Sequence, residues 1–298
     1  MLKNIKLKPI IGQSVKDLEL LSVALGESKY RGVQLYDWVY RKQIDNLDLM
    51  LNLPISFRKK LAQYSFHPLK MVHKDISSSN RTKKYLFSLD DGKKIESVLM
   101  FEGKRVTVCL STQVGCAVDC DFCATAKMGF SKNLNVGEII DQFFLIQKKI
   151  EEKISNVVFM GMGEPFLNYS NSLAVAHLLN DSKGVNMAAW RITFSTAGVI
   201  KKINQFSNEN QPFKLAVSLN GTNNNQRKKI MPITGKNPYS ELIQASIKYT
   251  IKTRKKITFE YVILSGINDD VKDAIKLKKI LEPIKCKLNI IPYNEIDD

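Results

Sequence analysis

Three cysteines lie close together in the sequence, where their thiolates could bind a metal centre. Cys116, Cys120 and Cys123 form a CxxxCxxC pattern. Iron–sulfur clusters are held by cysteine thiolates, usually four of them. Three thiolates from one loop can therefore bind three irons of a [4Fe–4S] cluster and leave the fourth iron open to another ligand.

Zinc is the competing interpretation of the same three cysteines. A structural zinc ion takes four ligands, often in paired CxxC-type spacings, and no second cysteine or histidine pair lies near this segment. Three cysteines buried in a core are the least favoured interpretation, because the spacing is already fairly specific for a cluster. The chain has five cysteines in all, and an odd number argues against a disulfide framework.

A glycine-rich segment is the second candidate for ligand binding. Residues 159–165 read FMGMGEP and include Gly163 and Glu164. Glycine lets a ligand approach the backbone closely, and the Glu164 carboxylate can accept a hydrogen bond from a ligand ammonium group. Taken alone, the segment also fits an ordinary turn between a strand and a helix.

The elements that position these residues alternate between strand and helix from about residue 104. Buried, β-branched strands separated by helices predict a parallel sheet with right-handed crossovers. Six strands predict an α/β fold built as a partial, TIM-like (β/α)6 barrel rather than a closed eight-stranded one. The predicted strands are 106–110, 156–160, 191–195, 214–219, 257–264 and 286–292, and the predicted helices are 136–150, 170–180, 198–205, 238–252 and 270–281.

The N-terminal third has a different pattern. Residues 1–90 predict a small, mainly helical accessory domain, because apolar residues recur at helical spacing and Pro54 stands near a helix start. Asp91-Gly92 lies between two alternating segments and predicts a β-hairpin extension. We therefore expect an accessory domain at 1–90 and a barrel domain at 91–298.

The composition is that of a globular protein with an excess of positive charge. The chain has 298 residues, of which 25% are charged, and a net charge of +16. Residues 1–90 contain 16 basic and 8 acidic residues, which favours an RNA-binding role for this part. Because most of the basic residues are lysines, coding bias is an alternative explanation. We expect a cytoplasmic protein without a membrane segment, because no apolar stretch is long enough and no signal peptide is evident.

Several motifs together resemble a known family. GCAVDCDFCATAKMGFSKNLNVGEIIDQ, NVVFMGMGEPFLNY, RITFSTAGV, KLAVSLN and NIIPYN follow one another in this order. The chain resembles the radical S-adenosylmethionine (SAM) superfamily and, within it, the RlmN/Cfr family of RNA adenine C2/C8 methyltransferases, RlmN more than Cfr. The resemblance covers nearly the whole chain. It implies a [4Fe–4S] cluster, SAM, adenine position 2 of 23S rRNA and tRNA as substrate, a flavodoxin-type electron donor and a monomer.

The resemblance also assigns roles to individual residues. Cys116, Cys120 and Cys123 match the cluster ligands, Glu96 matches the proton acceptor, and Cys109 matches a cysteine that resolves a protein–RNA adduct. Taken singly, Glu96 reads as a solvated strand carboxylate and Cys109 as a core residue. The residues that match SAM contacts are Gly163, Glu164, Ser195, Ser218, Leu219, Asn220 and Asn294.

The family chemistry requires one more cysteine. It carries the methyl group and follows the sixth strand, whereas the sequence ends at Asp298 and Cys286 begins that strand. We expect that the chain lacks the last few tens of residues of the family pattern, binds a cluster and SAM, and does not complete methyl transfer. The alternatives are an inactive RNA- and SAM-binding relic and a radical SAM enzyme with another substrate.

Overall fold

The computed structural model of the chain describes residues 8–294. Residues 1–7 and 295–298 of the two predicted domains lie outside this range. The strands are β1 (Leu69–Ile76), β2 (Thr82–Leu89), β3 (Lys94–Glu102), β4 (Arg105–Cys109), β5 (Gln113–Gly115), β6 (Phe130–Asn133), β7 (Asn156–Phe159), β8 (Ile192–Thr196), β9 (Lys214–Ser218), β10 (Ile257–Ile263) and β11 (Cys286–Pro292). The α-helices are α1 (Val15–Ala24), α2 (Tyr30–Tyr36), α3 (Ile55–Leu61), α4 (Ala124–Lys127), α5 (Val136–Gln147), α6 (Tyr169–Asn180), α7 (Ile200–Asn208), α8 (Asn224–Ile230), α9 (Tyr239–Thr253) and α10 (Val271–Leu281).

The predicted alternation of strand and helix is confirmed. All six predicted strands are present as β4 and β7 to β11, and each of the five predicted helices is present between them. Two helices in this part of the chain, α4 and α8, were not predicted, and α8 is the longer of them. Its sequence, NNQRKKI, has no apolar stripe, and the residues it buries are Arg227 and Ile230.

The residues form two compact units. Unit 1 contains 8–110, 134–156 and 170–188, and unit 2 contains 111–133, 157–169 and 189–294. In unit 1, strands β1 to β4 form an antiparallel sheet. The predicted hairpin at Asp91-Gly92 joins β2 to β3, and Gly92 has a φ of +79°. No sequence pattern predicted β1, because it is an edge strand in which only Leu69 is fully buried.

The N-terminal helices of unit 1 are fixed by local signals. A capping box begins α1, in which Ser14 Oγ accepts a hydrogen bond from Asp17 N at 3.2 Å and Asp17 Oδ2 accepts one from Ser14 N at 2.9 Å. Helix α3 begins directly after Pro54, as predicted. Gly32 lets α2 approach α1, because a Cβ atom at this position would lie 2.4 Å from Glu19 backbone atoms.

A partly buried histidine connects three segments of unit 1. His67 Nδ1 lies 2.5 Å from Asp141 Oδ1 on α5, and His67 Nε2 lies 2.7 Å from Asp45 Oδ2. Lys148 also contacts Asp45. Burial lowers the pKa of His67, but the hydrogen bond and charge of Asp141 and the bond to Asp45 outweigh burial, so the pKa is raised overall.

We expect His67→Asn to lower the free energy of unfolding by about 3 kcal/mol at pH 6, because the buried Asp141 loses its partner. A histidine with a raised pKa stabilises the fold fully below its unfolded value of about 6.5, and this contribution is lost as the pH rises through the higher folded value. The difference in the free energy of unfolding between His67→Asn and the unsubstituted chain should therefore be smaller at pH 9. Urea unfolding at both pH values measures it. His73→Asn is the control, since His73 is 61% exposed, and an equal deficit at both pH values for His67→Asn would contradict the prediction.

Unit 2 contains a parallel sheet with two different faces. Strands β7, β8, β9, β10 and β11 pair in that order. One face is apolar, and Phe194 contacts Phe159 and Phe206 there with ring centroids 4.6 and 5.3 Å apart. Because side chains alternate along a strand, Ser195 lies on the opposite face. The parallel register places Ser218 and Glu260 on that same polar face.

Every helix within residues 8–294 is too short or too polar to span a bilayer.

Candidate functional site

The three cysteines lie on a loop of unit 2 that is closed by a short hairpin. Strands β5 and β6 pair on either side of the loop, and Cys116 N donates to Gly129 O at 3.0 Å. Gly115 makes this closure possible, because its φ is +72° and a Cβ atom there would lie 1.7 Å from Gly129 O. The hairpin therefore closes the loop that carries all three cysteines.

The cysteine loop rests on the end of α8. Cys120 and Phe122 pack against an apolar cluster that includes Ile230 and Met231. Asp121 N donates to Ile230 O at 3.0 Å. These contacts give the loop a fixed support in unit 2.

Burial disfavours the thiolate forms of Cys116 and Cys120. The pKa of Cys116 is raised to about 11, mainly by burial and in smaller part by the charges of Glu164 and Cys123. Burial also raises the pKa of Cys120 above its usual range. Metal binding must therefore displace thiol protons, because the thiolate is the ligand.

The loop has the donor set that an iron–sulfur cluster requires. Cys116, Cys120 and Cys123 are partly buried thiols outside any disulfide. Within residues 8–294, no three His, Cys, Asp or Glu side chains are grouped closely enough to hold one metal ion. A cubane cluster takes one thiolate at each iron, so its ligands stand around it and do not converge on one point. The three thiols on one closed loop fit that arrangement.

The glycine-rich turn lies beside the segment that leads into the cysteine loop. Thr112 N donates to Met162 O at 2.8 Å, and Glu164 N donates to Gln113 Oε1 at 2.8 Å. Gly163 has a φ of +93°, and a Cβ atom there would lie 2.4 Å from the Gln113 side chain. Only glycine fits this turn against Gln113.

Glu164 is a buried carboxylate held by main-chain donors. Its Oε2 accepts a hydrogen bond from Ala197 N at 2.6 Å, and its Oε1 accepts one from Phe166 N at 2.9 Å. Burial raises the pKa of Glu164 to about 7, although these bonds lower it. Since each carboxylate oxygen has two lone pairs, Glu164 keeps capacity for a further donor.

The predicted SAM contacts at the later strands occupy different environments. Ser195 Oγ donates to Glu260 Oε2 at 3.2 Å, and Ser218 pairs in register with Glu260. Leu219 is fully buried. The Asn220 side chain is also buried, and its Oδ1 accepts from Val262 N at 2.8 Å. Asn294 is exposed and follows β11.

Glu96 and Cys109 lie on one face of the unit 1 sheet. The antiparallel register pairs Val98 with Cys109, and Glu96 stands two residues before Val98. Both side chains therefore lie on the same sheet face. Cys109 is 7% exposed, and Glu96 forms an ion pair with Lys84 at 3.2 Å.

Three residues of this site were missed at the sequence level. Gln113 braces the glycine-rich turn, Glu260 accepts from Ser195, and Arg227 is buried beside the cysteine loop. Only Arg227 could have been noticed from the sequence, because it is one of only eight arginines in a lysine-rich chain. Arginine at such a position indicates a need for several directed donors.

The cavity in unit 1 is not this site. It has a volume of about 880 Å³ and is lined by residues that include Ser14, Asn135 and Asp181. None of the predicted site residues lines it.

Comparisons with known proteins agree with this geometry. Residues 110–277 match the model of the radical SAM superfamily, and residues 9–66 match that of the ribosomal RNA large subunit methyltransferase N-terminal domain. A relative from Dictyoglomus thermophilum, named probable dual-specificity RNA methyltransferase RlmN, is 44% identical over 92% of this chain and 79% of its own length. The chain belongs to the RlmN family of radical SAM RNA methyltransferases.

A further relative and a solved structure support the same assignment. The protein of the same name from Thermotoga neapolitana is 42% identical over 97% of this chain and 84% of its own length. The crystal structure of a radical SAM methyltransferase from Sphaerobacter thermophilus is similar with a TM-score of 0.92 at 38% identity, over 97% of this chain and 86% of that one. The predicted α/β radical SAM fold is therefore confirmed. Membership of a radical SAM family implies a [4Fe–4S] cluster and SAM.

Proposed function

We propose that this RlmN-family chain methylates position 2 of adenine in 23S rRNA and tRNA. The observation that carries the proposal is the closed loop of three thiols beside the Glu164 turn, in a chain whose N-terminal residues 9–66 match a ribosomal RNA methyltransferase domain. Cys116, Cys120 and Cys123 would hold the cluster. SAM would contact the other predicted residues, which are Gly163, Glu164, Ser195, Ser218, Leu219, Asn220 and Asn294.

The chemistry needs residues beyond the ligands. When bound, the cluster and SAM supply a 5′-deoxyadenosyl radical. Glu96 removes a proton during the reaction, and its exposed ion pair with Lys84 keeps the carboxylate available on the sheet face that also carries Cys109. Cys109 would form a disulfide with the methyl-carrying cysteine while the carbon–sulfur bond between that cysteine and the adenine breaks. The electron pair of the broken bond and a proton would go to the new methyl carbon, which releases the modified RNA. Burial in β4 protects the Cys109 thiol from unwanted partners.

RNA contacts come from the basic N-terminal part. Arg58, Lys59 and Lys60 lie in the last turn of α3, within the region where basic residues outnumber acidic ones. Cationic side chains of this kind bind RNA phosphates and make affinity depend on salt. The proposal also includes a barrel domain at 91–298. The protein would act as a cytoplasmic monomer that receives electrons from a flavodoxin-type donor.

A complete test includes the methyl-carrying cysteine of the family pattern. Residues 293–298 read YNEIDD and do not include it. The 298-residue polypeptide, reconstituted anaerobically with iron and sulfide, should bind a cluster and SAM but form no 2-methyladenosine. A fusion with the C-terminal segment of the Thermotoga neapolitana relative should form it. Mass spectrometry of nuclease digests of 23S rRNA measures the product.

The control is the same fusion with its added cysteine replaced by alanine, which should load a cluster and give no product. A fusion that loads both cluster and SAM but yields only 8-methyladenosine, or no methylated adenosine, would refute methylation at position 2. Product from the 298 residues alone would refute the need for the added cysteine.

A further inference from the structure

Arg227 on α8 is a fully buried cation with an unusual set of partners. It is 0% exposed. Its Nε donates to Leu219 O at 3.0 Å, and its Nη1 donates to Thr234 Oγ1 at 2.7 Å. Its Nη2 donates to Ala197 O at 2.5 Å and to Ser218 O at 3.0 Å. All four acceptors are neutral.

The charge of Arg227 has no carboxylate partner. Among residues 8–294, no Asp or Glu lies within ion-pair distance of its guanidinium. Burying a charge without a counter-charge is costly, so buried arginines normally pair with an anion. Burial lowers the pKa of Arg227 to about 10, which leaves it charged at neutral pH. The fold therefore buries the charged guanidinium of Arg227 without a negatively charged partner.

The cysteine loop is a source of negative charge that acts on Arg227. The charge of Cys120 raises the pKa of Arg227, and that of Arg227 lowers the pKa of Cys120, so each group favours the ionised form of the other. The loop and the helix are also joined, because Asp121 N donates to Ile230 O three residues after Arg227. Metal binding displaces thiol protons, so a bound metal centre brings thiolate charge to this loop.

We propose that Arg227 is the counter-charge of the cysteine-bound cluster and favours its reduced form. The inference rests on the proposed function, because it requires a [4Fe–4S] cluster on the cysteine loop. One-electron reduction adds one negative charge to the cluster, and a fixed cation nearby stabilises the more negative state. Net charge and surrounding hydrogen bonds are known determinants of cluster potentials.

The competing role is purely structural. The carbonyls that Arg227 binds belong to residues at the ends of β8 and β9, so Arg227 also ties these two strand ends together. A structural role predicts that substitution changes stability and leaves the reduction equilibrium of the loaded cluster unchanged. The two roles therefore differ in a quantity other than activity.

The test is a redox titration of the reconstituted chain with dithionite as the reductant, followed by electron paramagnetic resonance. In Arg227→Gln, the ratio of reduced to oxidised cluster at a fixed potential should fall at least about tenfold, which is 59 mV for a one-electron couple. Lys229→Gln is the matched control, because Lys229 is an exposed cation on the same helix. The ratio of reduced to oxidised cluster in Lys229→Gln should stay within about threefold of that in the unsubstituted chain.

A second variant keeps the test informative if Arg227→Gln fails to fold. Arg227→Lys keeps a charge that burial makes titratable, so its reduced fraction should fall as the pH rises from 6.5 to 9.5, relative to the unsubstituted chain. Equal reduction equilibria in Arg227→Gln and the control, or no such pH effect in Arg227→Lys, would overturn the inference. So would loss of folding in both variants, since that assigns a structural role. If the unsubstituted chain binds no iron, the proposed function itself fails.

Discussion

Cys120→Ala is expected to abolish cluster binding. The variant retains two thiolates on the loop, and the segment from Cys116 to Cys123 contains no further cysteine and no histidine as a replacement ligand. Clusters depend on their cysteine ligands, so we expect the iron and sulfide bound after reconstitution to fall at least about tenfold. SAM cleavage under reducing conditions should be lost with them.

The matched control for Cys120→Ala is Cys286→Ala. Cys286 is also a partly buried thiol outside any disulfide, but it begins β11 and lies away from the CxxxCxxC loop in the sequence. Its removal should leave bound iron unchanged. Full iron content in Cys120→Ala, or equal losses in both variants, would contradict the assignment of Cys120 as a ligand.

Gly115→Ala is expected to distort the cysteine loop and to destabilise unit 2. A Cβ atom at Gly115 would lie 1.7 Å from Gly129 O, so the β5–β6 closure has to open. The positive φ of +72° adds backbone strain. We expect a loss of about 4 kcal/mol in the free energy of unfolding, together with a severalfold lower iron content. Urea unfolding and iron analysis measure the two effects.

Gly129→Ala separates the effect of the steric clash at Gly115 from the effect of a positive φ. Gly129 also has a positive φ, +66°, but a Cβ atom there meets nothing within 4 Å. It should lose only about 1 kcal/mol, the cost of a left-handed conformation for alanine, and keep its iron. If Gly129→Ala is as damaging as Gly115→Ala, the close approach of the backbone is not what fixes the loop.

Much of the fold was predictable because its signals are local. Strands β8 and β9 begin and end within one residue of the predicted bounds, since apolar, β-branched residues mark each strand and polar segments flank it. Helix α8 and strand β1 were missed for the opposite reason. Neither has an apolar pattern: α8 buries a guanidinium, and β1 is an exposed edge.

The candidate site was predictable as a set of residues but not as a set of contacts. The spacing of Cys116, Cys120 and Cys123 and the ordered motifs around them pointed to the family without coordinates. Glu164 was expected to accept a hydrogen bond from a ligand ammonium group, and the structure adds that Ala197 N and Phe166 N already donate to it. Those bonds join residues up to 33 positions apart.

The sequence alone determined the family and the order of the strands along the chain, and it predicted the cysteine ligand set, because each depends on spacing along the chain. The tertiary structure alone decided which groups lie buried together. It places Glu260 beside Ser195, engages the Asn220 amide with Val262, and buries Arg227 next to the cysteine loop. Burial and hydrogen-bond partners are set by the packing of distant segments, and no local pattern records them.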